Sequence, residues 1–351
     1  MSNAAAQAYL NTRVSVMSTR LFAPDLIERL SRMTLVELTE HFGLSALLEE
    51  AHSTATRSRA IEQSLLRTLL ADLQVLARPM TAAERSLILA WGRKYALFNL
   101  KTLLRGKLYD LDPQEIRDHL FELPETIRLP HQELFRAENV LELLRQLETG
   151  PYHQIARQAR EVYEKQREPF ALEAAIDQRY YSGIVRQIMG SDHHHMDSLR
   201  RLMGLELDRV ALLWLLRFRF TYQLSPSETY YQLVPSTRLL TRERLLSLAN
   251  LDTFERILEA LPAPLNTLLA ESRTIGEVQH RIGRYTRLET RSVLARSQSA
   301  VARALAYLML RESDLLLLFA VVRGRLLQFP DATIHAAIEL TEPTCAEARA
   351  A

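Results

Sequence analysis

The chain has a single cysteine, Cys345, so no intrachain disulfide can hold it together, a usage that suits a reducing cytoplasm. Glycine and proline are also sparse, 10 and 13 in 351 residues, against abundant Leu, Ala, Arg and Glu. Few residues are therefore suited to hairpin turns and many to helices. No alternating strand pattern bounded by Asn-Gly or Asp-Gly appears, and the predicted fold class is all-α. Net charge is nearly absent: 44 Lys plus Arg face 42 Asp plus Glu, a formal balance of +2. With no basic excess there is no field to gather a polyanion, and nucleic acid is not an expected partner. The longest apolar run, Leu315 to Val322, is eight residues. A bilayer-crossing helix needs about twenty, so no membrane span is expected. The first 24 residues lack acids and carry Arg13 and Arg20, which superficially mimics a transit peptide. The stretch from Tyr9 instead reads as the opening turns of a helical unit.

The usual signatures of chemistry are missing as well. There is no G-x-x-x-x-G-K-[ST] loop and no G-x-G-x-x-G turn, hence no backbone cradle for phosphates and no expected cofactor. Neither a G-x-S-x-G elbow nor an H-E-x-x-H pair occurs. The one metal-like cluster is His193-His194-His195. Adjacent helical residues point about 100° apart and cannot converge on one ion, so zinc would need an unusual loop with Asp192 or Asp197. A solvated loop is the plain alternative, and no catalytic or metal residue is expected.

What the chain does have is recurrence. Leu103-Leu104-Arg105-Gly106-Lys107-Leu108, Leu215-Leu216-Arg217-Phe218-Arg219-Phe220 and Val321-Val322-Arg323-Gly324-Arg325-Leu326 each end an apolar run with a basic-x-basic step. The leading arginines lie 112 and 106 residues apart, and Pro113, Pro226 and Pro330 follow within ten residues. A second phase is Ile61-Glu62, Leu172-Glu173 and Leu288-Glu289. A third is a capped helix start, Thr34-x-x-Glu37, Asn139-x-x-Glu142 and Asp252-x-x-Glu255. In the second copy Val140, Leu143, Leu144 and Leu147 fall at i, i+3, i+4 and i+7, one buried face of a helix. In the third copy the apolar pattern is displaced by one residue relative to the cap. The chain thus reads as three copies of one helical unit, residues 1–112, 113–226 and 227–351, with the extra length of the middle copy at Gly190 to His195.

Candidate interface residues follow from these patterns. Arg105, Lys107, Arg217, Arg219, Arg323 and Arg325 either complement the negative C-terminal ends of their helices or form a basic collar for acidic groups of a partner. Asp177 and Tyr180, with Arg179 and Tyr181, either line an inter-unit seam, Asp177 pairing Arg179 or Arg217, or contact another subunit.

At Tyr9-Leu10-Asn11-Thr12-Arg13-Val14-Ser15-Val16-Met17, Leu172-Glu173-x-x-Ile176-Asp177-x-x-Tyr180-Tyr181 and Leu205-Glu206-Leu207-Asp208 continuing to Leu216-Arg217, the sequence resembles the central-stalk C subunit of V/A-type rotary ATPases, whose counterpart in eukaryotic vacuolar enzymes is the d subunit. The resemblance covers essentially the whole chain. One departure is Val210-Ala211, where an Asn is expected. The resemblance implies a funnel of three units about a pseudo-threefold axis with no active site of its own. It implies a position on the cytoplasmic mouth of the membrane proteolipid ring, receiving the D and F shaft subunits, so that rotation is linked to proton or sodium transport. One face, with exposed apolar loop residues, is then expected on the ring, and the opposite face, edged by Arg105, Arg217 and Arg323, on the shaft. The competing expectation is a generic helical-repeat scaffold, although such repeats run roughly 20 to 50 residues, shorter than this period.

Overall fold

Three sets of short helices each lead into a pair of long ones. The computed structural model describes residues 3–50, 53–189 and 196–339, and no β-strand occurs among them. Helices α1 (Asn3–Ser18), α2 (Pro24–Leu30), α3 (Leu35–His41) and α4 (Ser45–Glu50) precede α5 (Thr54–Ala77), α6 (Ala82–Gly92) and α7 (Lys94–Leu108). Next come α8 (Pro113–Asp118), α9 (His131–Arg136), α10 (Val140–Gln146), α11 (His153–Gln166), and the long α12 (Pro169–Met189) and α13 (Met196–Leu216). Then α14 (Pro226–Gln232), α15 (Arg242–Ala249), α16 (Phe254–Glu259) and α17 (Leu265–Leu269) lead to α18 (Ile275–Arg296), α19 (Ala300–Leu326) and α20 (Asp331–Glu339). The protein is all-α. The Gly190 to His195 connection, with the histidine run, lies outside the described residues.

The capped starts recur in the structure, with one correction. Thr34 opens α3 with a reciprocal capping box to Glu37, and Asn139 opens α10 by accepting from the Glu142 N–H at 3.1 Å. Glu142 reaches back one residue further than expected, accepting from the Glu138 N–H at 2.7 Å. In the third copy the cap is Thr253, not Asp252: its hydroxyl accepts from the Arg256 N–H. Moving the cap by one residue removes the displacement seen in sequence. Leu38, Leu143 and Ile257 now all stand four residues past their caps, and each is fully buried.

The long-helix ends share one terminator. Asp110, Gln223 and Gln328 adopt left-handed φ of 51°, 55° and 57°. The next N–H returns to a carbonyl of the last turn: Leu111 to Gly106 at 3.0 Å, Leu224 to Phe218 at 2.8 Å, Phe329 to Gly324 at 2.9 Å. This satisfies carbonyls the helix leaves unpaired. Glycine at two of these positions permits close packing. A Cβ on Gly106 would stand 2.3 Å from the Ile116 side chain, and one on Gly324 would stand 3.1 Å from Ile334. The middle stretch has buried Phe218 instead, and there the last turn widens into a π-turn over Arg217–Thr221, one residue longer.

Side-chain pairs fix the directions of the long helices. Arg105–Glu173 and Lys101–Asp177 step oppositely along α7 and α12, as do Arg217–Gln279 and Arg201–Glu289 along α13 and α18. Ring contacts Tyr181–Trp214 and Phe170–Phe218 make α12 and α13 antiparallel. Arg287–Asp314 and Arg303 to the Leu294 carbonyl do the same for α18 and α19. Helix α5 packs on both α6 and α19. The neighbours therefore form a closed cycle, α5, α6/α7, α12, α13, α18, α19 and back to α5, with α7, α13 and α19 parallel. The second phase read from sequence does not survive as a register. Glu173 lies near the start of α12, but Glu289 lies deep in α18, and Gln279 takes the place opposite Arg217.

Candidate partner interface

In each basic-x-basic step the second residue is spent inside the molecule. Lys107 donates to the Phe135 carbonyl at 3.0 Å. Arg219 donates to the carbonyls of Leu224 at 2.9 Å and Leu251 at 3.3 Å. Arg325 donates to the Ser31 carbonyl at 2.7 Å and pairs with Asp331. Phe135, Leu251 and Ser31 all lie two to four residues before the caps Asn139, Thr253 and Thr34. Each cation thus ties its long helix to the capped segment of the neighbouring stretch, and the third ties the end of the chain to its beginning.

A buried polar side chain repeats this grip further inside. Asn99 donates to the Phe121 carbonyl and accepts from the Phe121 N–H, both at 2.8 Å. Asp208 accepts from the N–H groups of Leu239 and Leu240 at 3.2 and 2.9 Å and from Arg238. Asp314 accepts from the Phe22 N–H at 2.9 Å and from Arg287 at 2.6 Å. Asp208 and Asp314 are 106 residues apart, the spacing of Arg217 and Arg323. Asn99 lies one turn nearer its arginine, level with Ala211, where the sequence departs from the expected Asn.

The first basic residues face outward. Arg105 makes a bidentate pair with Glu173 at 2.5 and 2.6 Å, yet stays about half exposed. Among the described residues the Arg217 guanidinium reaches the neutral Gln279, at 2.8 Å, and no acid. Arg323 is exposed and meets no acid among the described residues. Beside them stand exposed apolar side chains that sequence reasoning missed: Tyr109 at 62%, Tyr222 at 53% and Leu327 at 45%. They follow their arginines by four or five residues, at intervals of 113 and 105, which was the available signal. Since α7, α13 and α19 are parallel, this apolar and basic material shares one end of the molecule. Apolar and basic groups stand together at this end.

Asp177 and Tyr180 are not part of that rim. Asp177 pairs with Lys101 at 2.8 Å, not with Arg179 or Arg217. Burial pushes its carboxyl above the usual carboxylate range, while Lys101 opposes the shift. Tyr180 is buried in the seam between α12 and the α6/α7 junction, its hydroxyl donating to the Trp91 carbonyl at 2.9 Å.

Sequence reasoning also missed a cluster where the parallel helices converge. Lys94, Glu206 and Glu312 recur at intervals of 112 and 106. Lys94 pairs with Glu312, which also accepts from the Tyr95 hydroxyl; Glu206 pairs with Arg209 at 2.6 Å. Burial alone would raise the Glu206 carboxyl, but Arg209 and Lys94 outweigh it and hold the group below its ordinary value. Burial and the Glu312 carboxylate drive the Tyr95 phenol well above its usual value. Among the described residues no group of His, Cys, Asp and Glu is arranged to hold a metal ion, and no helix is long and apolar enough to cross a membrane.

Known proteins place this architecture. The family model for the ATP synthase (C/AC39) subunit matches residues 10–337. The C subunit of the A-type ATP synthase of Methanosarcina barkeri is 22% identical over 90% of this chain and 88% of its own length. That of Methanosarcina mazei is 24% identical over 69% of this chain and 66% of its own length, and that of Archaeoglobus fulgidus 23% identical over 73% of each. A match running from the middle of α1 into α20 leaves little of the described structure outside it, and the chain belongs to the ATP synthase (C/AC39) subunit family.

Proposed function

We propose that this chain is a non-catalytic central-stalk subunit of a V/A-type ATPase or ATP synthase. It couples the D and F shaft subunits to the proteolipid ring, so that rotation is linked to proton or sodium transport at the cytoplasmic face of the membrane. Residues 1–112, 113–226 and 227–351 act as three units of a pseudo-threefold funnel. The observation that carries the reading is the closed cycle of long helices in a member of the ATP synthase (C/AC39) family. A torque coupler must be stiff and must hold two partners at once. Close-packed helices transmit strain rather than absorb it, and the grips made by Lys107, Arg219 and Arg325 tie each stretch to the next. The rim at the ends of α7, α13 and α19 meets one rotor partner, Arg217 and Arg323 facing its acids and Tyr109, Tyr222 and Leu327 its apolar side chains.

The test is removal of this subunit from the purified complex. ATP hydrolysis by the soluble head is expected to persist while hydrolysis-driven ion pumping is lost. Normal pumping without the subunit would end the proposal.

A further inference from the structure

Between the α6/α7 junction, α11 and α12 lies an open cleft of about 460 Å³, within the range of small-molecule sites. Three arginines line it, Arg93, Arg179 and Arg186, and none makes an ion pair among the described residues. No acidic residue forms part of the wall. Arg179 and Arg186 both donate to one acceptor, Gln154 Oε1, at 2.7 and 3.0 Å, and the Arg179 Nε is buried without an acceptor. Where Arg20 and Arg311 converge elsewhere in this protein, the Asp72 carboxylate answers both. Here two like charges share one neutral side-chain oxygen, and the further acceptor of Arg186, the Ser182 carbonyl at 3.3 Å, is also neutral. Their proximity is unfavourable, and burial followed by the charge of Arg186 pulls the Arg179 guanidinium below its ordinary value. Tyr152 and Tyr180 supply the floor, with their hydroxyls already committed to the carbonyls of Ile127 and Trp91. What the cleft lacks is negative charge with several acceptor oxygens.

We propose that this cleft binds a phosphate-bearing anion, held by Arg93, Arg179 and Arg186 across the junction between the first and second stretches. The guanidinium fork matches phosphate oxygens bidentately, which a single amide oxygen cannot do. A ligand there would bridge α6/α7 to α11 and α12, and so would add to the cohesion of that seam. The inference stands independently of the stalk reading, because binding is measured on the isolated chain.

The experiment is calorimetric titration of the purified full chain with pyrophosphate at low ionic strength, beside flotation with vesicles of phosphatidylglycerol or of phosphatidylcholine. Saturable pyrophosphate binding is expected, weakened about tenfold or more in the Arg179→Gln/Arg186→Gln variant. The control Arg157→Gln, which removes an exposed α11 cation paired with Glu161, is expected to bind as the parent does. Retention on phosphatidylglycerol vesicles alone, lost in the same double variant, would identify the phosphate as a lipid headgroup. If the double variant melts early, Arg93→Gln read on its own carries the test. Absence of binding in both arms, or equal weakening by Arg157→Gln, would overturn the proposal.

Discussion

The seam that closes the cycle is built differently from the seam between the first and second stretches. Where α19 meets α5 and the segment before α2, the grip is a buried ion pair: Asp314 is 0% exposed, Arg287 is 7% exposed, and the same carboxylate receives the Phe22 N–H. Asp72 adds a second buried carboxylate, bonded to the Tyr307 hydroxyl at 2.6 Å and to Arg20 at 3.0 Å. Where α7 meets α12 and the loop after α8, the deepest grip is the neutral Asn99, and the ion pairs Lys101–Asp177 and Arg105–Glu173 keep contact with solvent. Consecutive stretches are held near one another by the chain itself, whereas the closing seam has no covalent connection. At the closing seam, where the backbone gives no help, charge is buried, as it is at Asp208 between the second and third stretches.

That contrast can be broken at either seam. The largest effect is expected from Asp314→Ala, which strands Arg287 in the interior and leaves the Phe22 N–H without its acceptor; a loss of about 3–5 kcal/mol is expected in chemical denaturation. Asn99→Ala also orphans two buried backbone groups, but no charge, and about 1–3 kcal/mol is expected. If the two variants cost the same, the distinction between the seams fails.

Acidity sharpens the comparison further. The Asp177 carboxyl is raised above its usual 3.8 by burial, so the folded state binds its proton more tightly than the unfolded chain does. Its contribution is therefore present below that value and is lost as pH rises through the folded one. Denaturation midpoints of Asp177→Asn and the parent, compared as pH rises from acid to neutral, are expected to shift in favour of the variant. A constant difference would show that the group does not titrate in a changed environment. The smallest effect is expected from Arg105→Ala: its pair with Glu173 is half exposed, and below about 1 kcal/mol is expected. Any loss of complex assembly in that variant then reflects the rim, not the fold.

Much of the helical plan is legible in the order of the residues. Thr34 and Asn139 are good cap residues with an acid three places on, and the apolar residues after them mark a buried face. Asp252 misleads because Thr253 beside it is also a cap former. The Glu255 at the capping-box position favours the wrong one of the two, and only the burial of Ile257 decides between them. The basic steps are legible as a recurrence but not as a division of labour. That Lys107, Arg219 and Arg325 turn inward while Arg105, Arg217 and Arg323 turn outward depends on carbonyls from neighbouring stretches, at sequence separations that no local pattern reports. Asp314 is a stronger case: within Arg-Glu-Ser-Asp it looks like part of a solvated helix face, yet it is the most deeply buried acid of the closing seam. Tyr180 goes the other way. It belongs to the motif that carries the resemblance, and its ring is packing material.

The Phe22–Asp314 contact spans 292 residues, and that between Ser31 and Arg325 spans 294. On a ribosome adding about 5–20 residues per second, the partner of Phe22 emerges roughly 15–60 s after Phe22 itself. Throughout that interval the beginning of the nascent polypeptide is made but lacks its final anchor, so the ring-closing contacts are late in biosynthesis by construction, and truncation anywhere before α19 leaves them unmade.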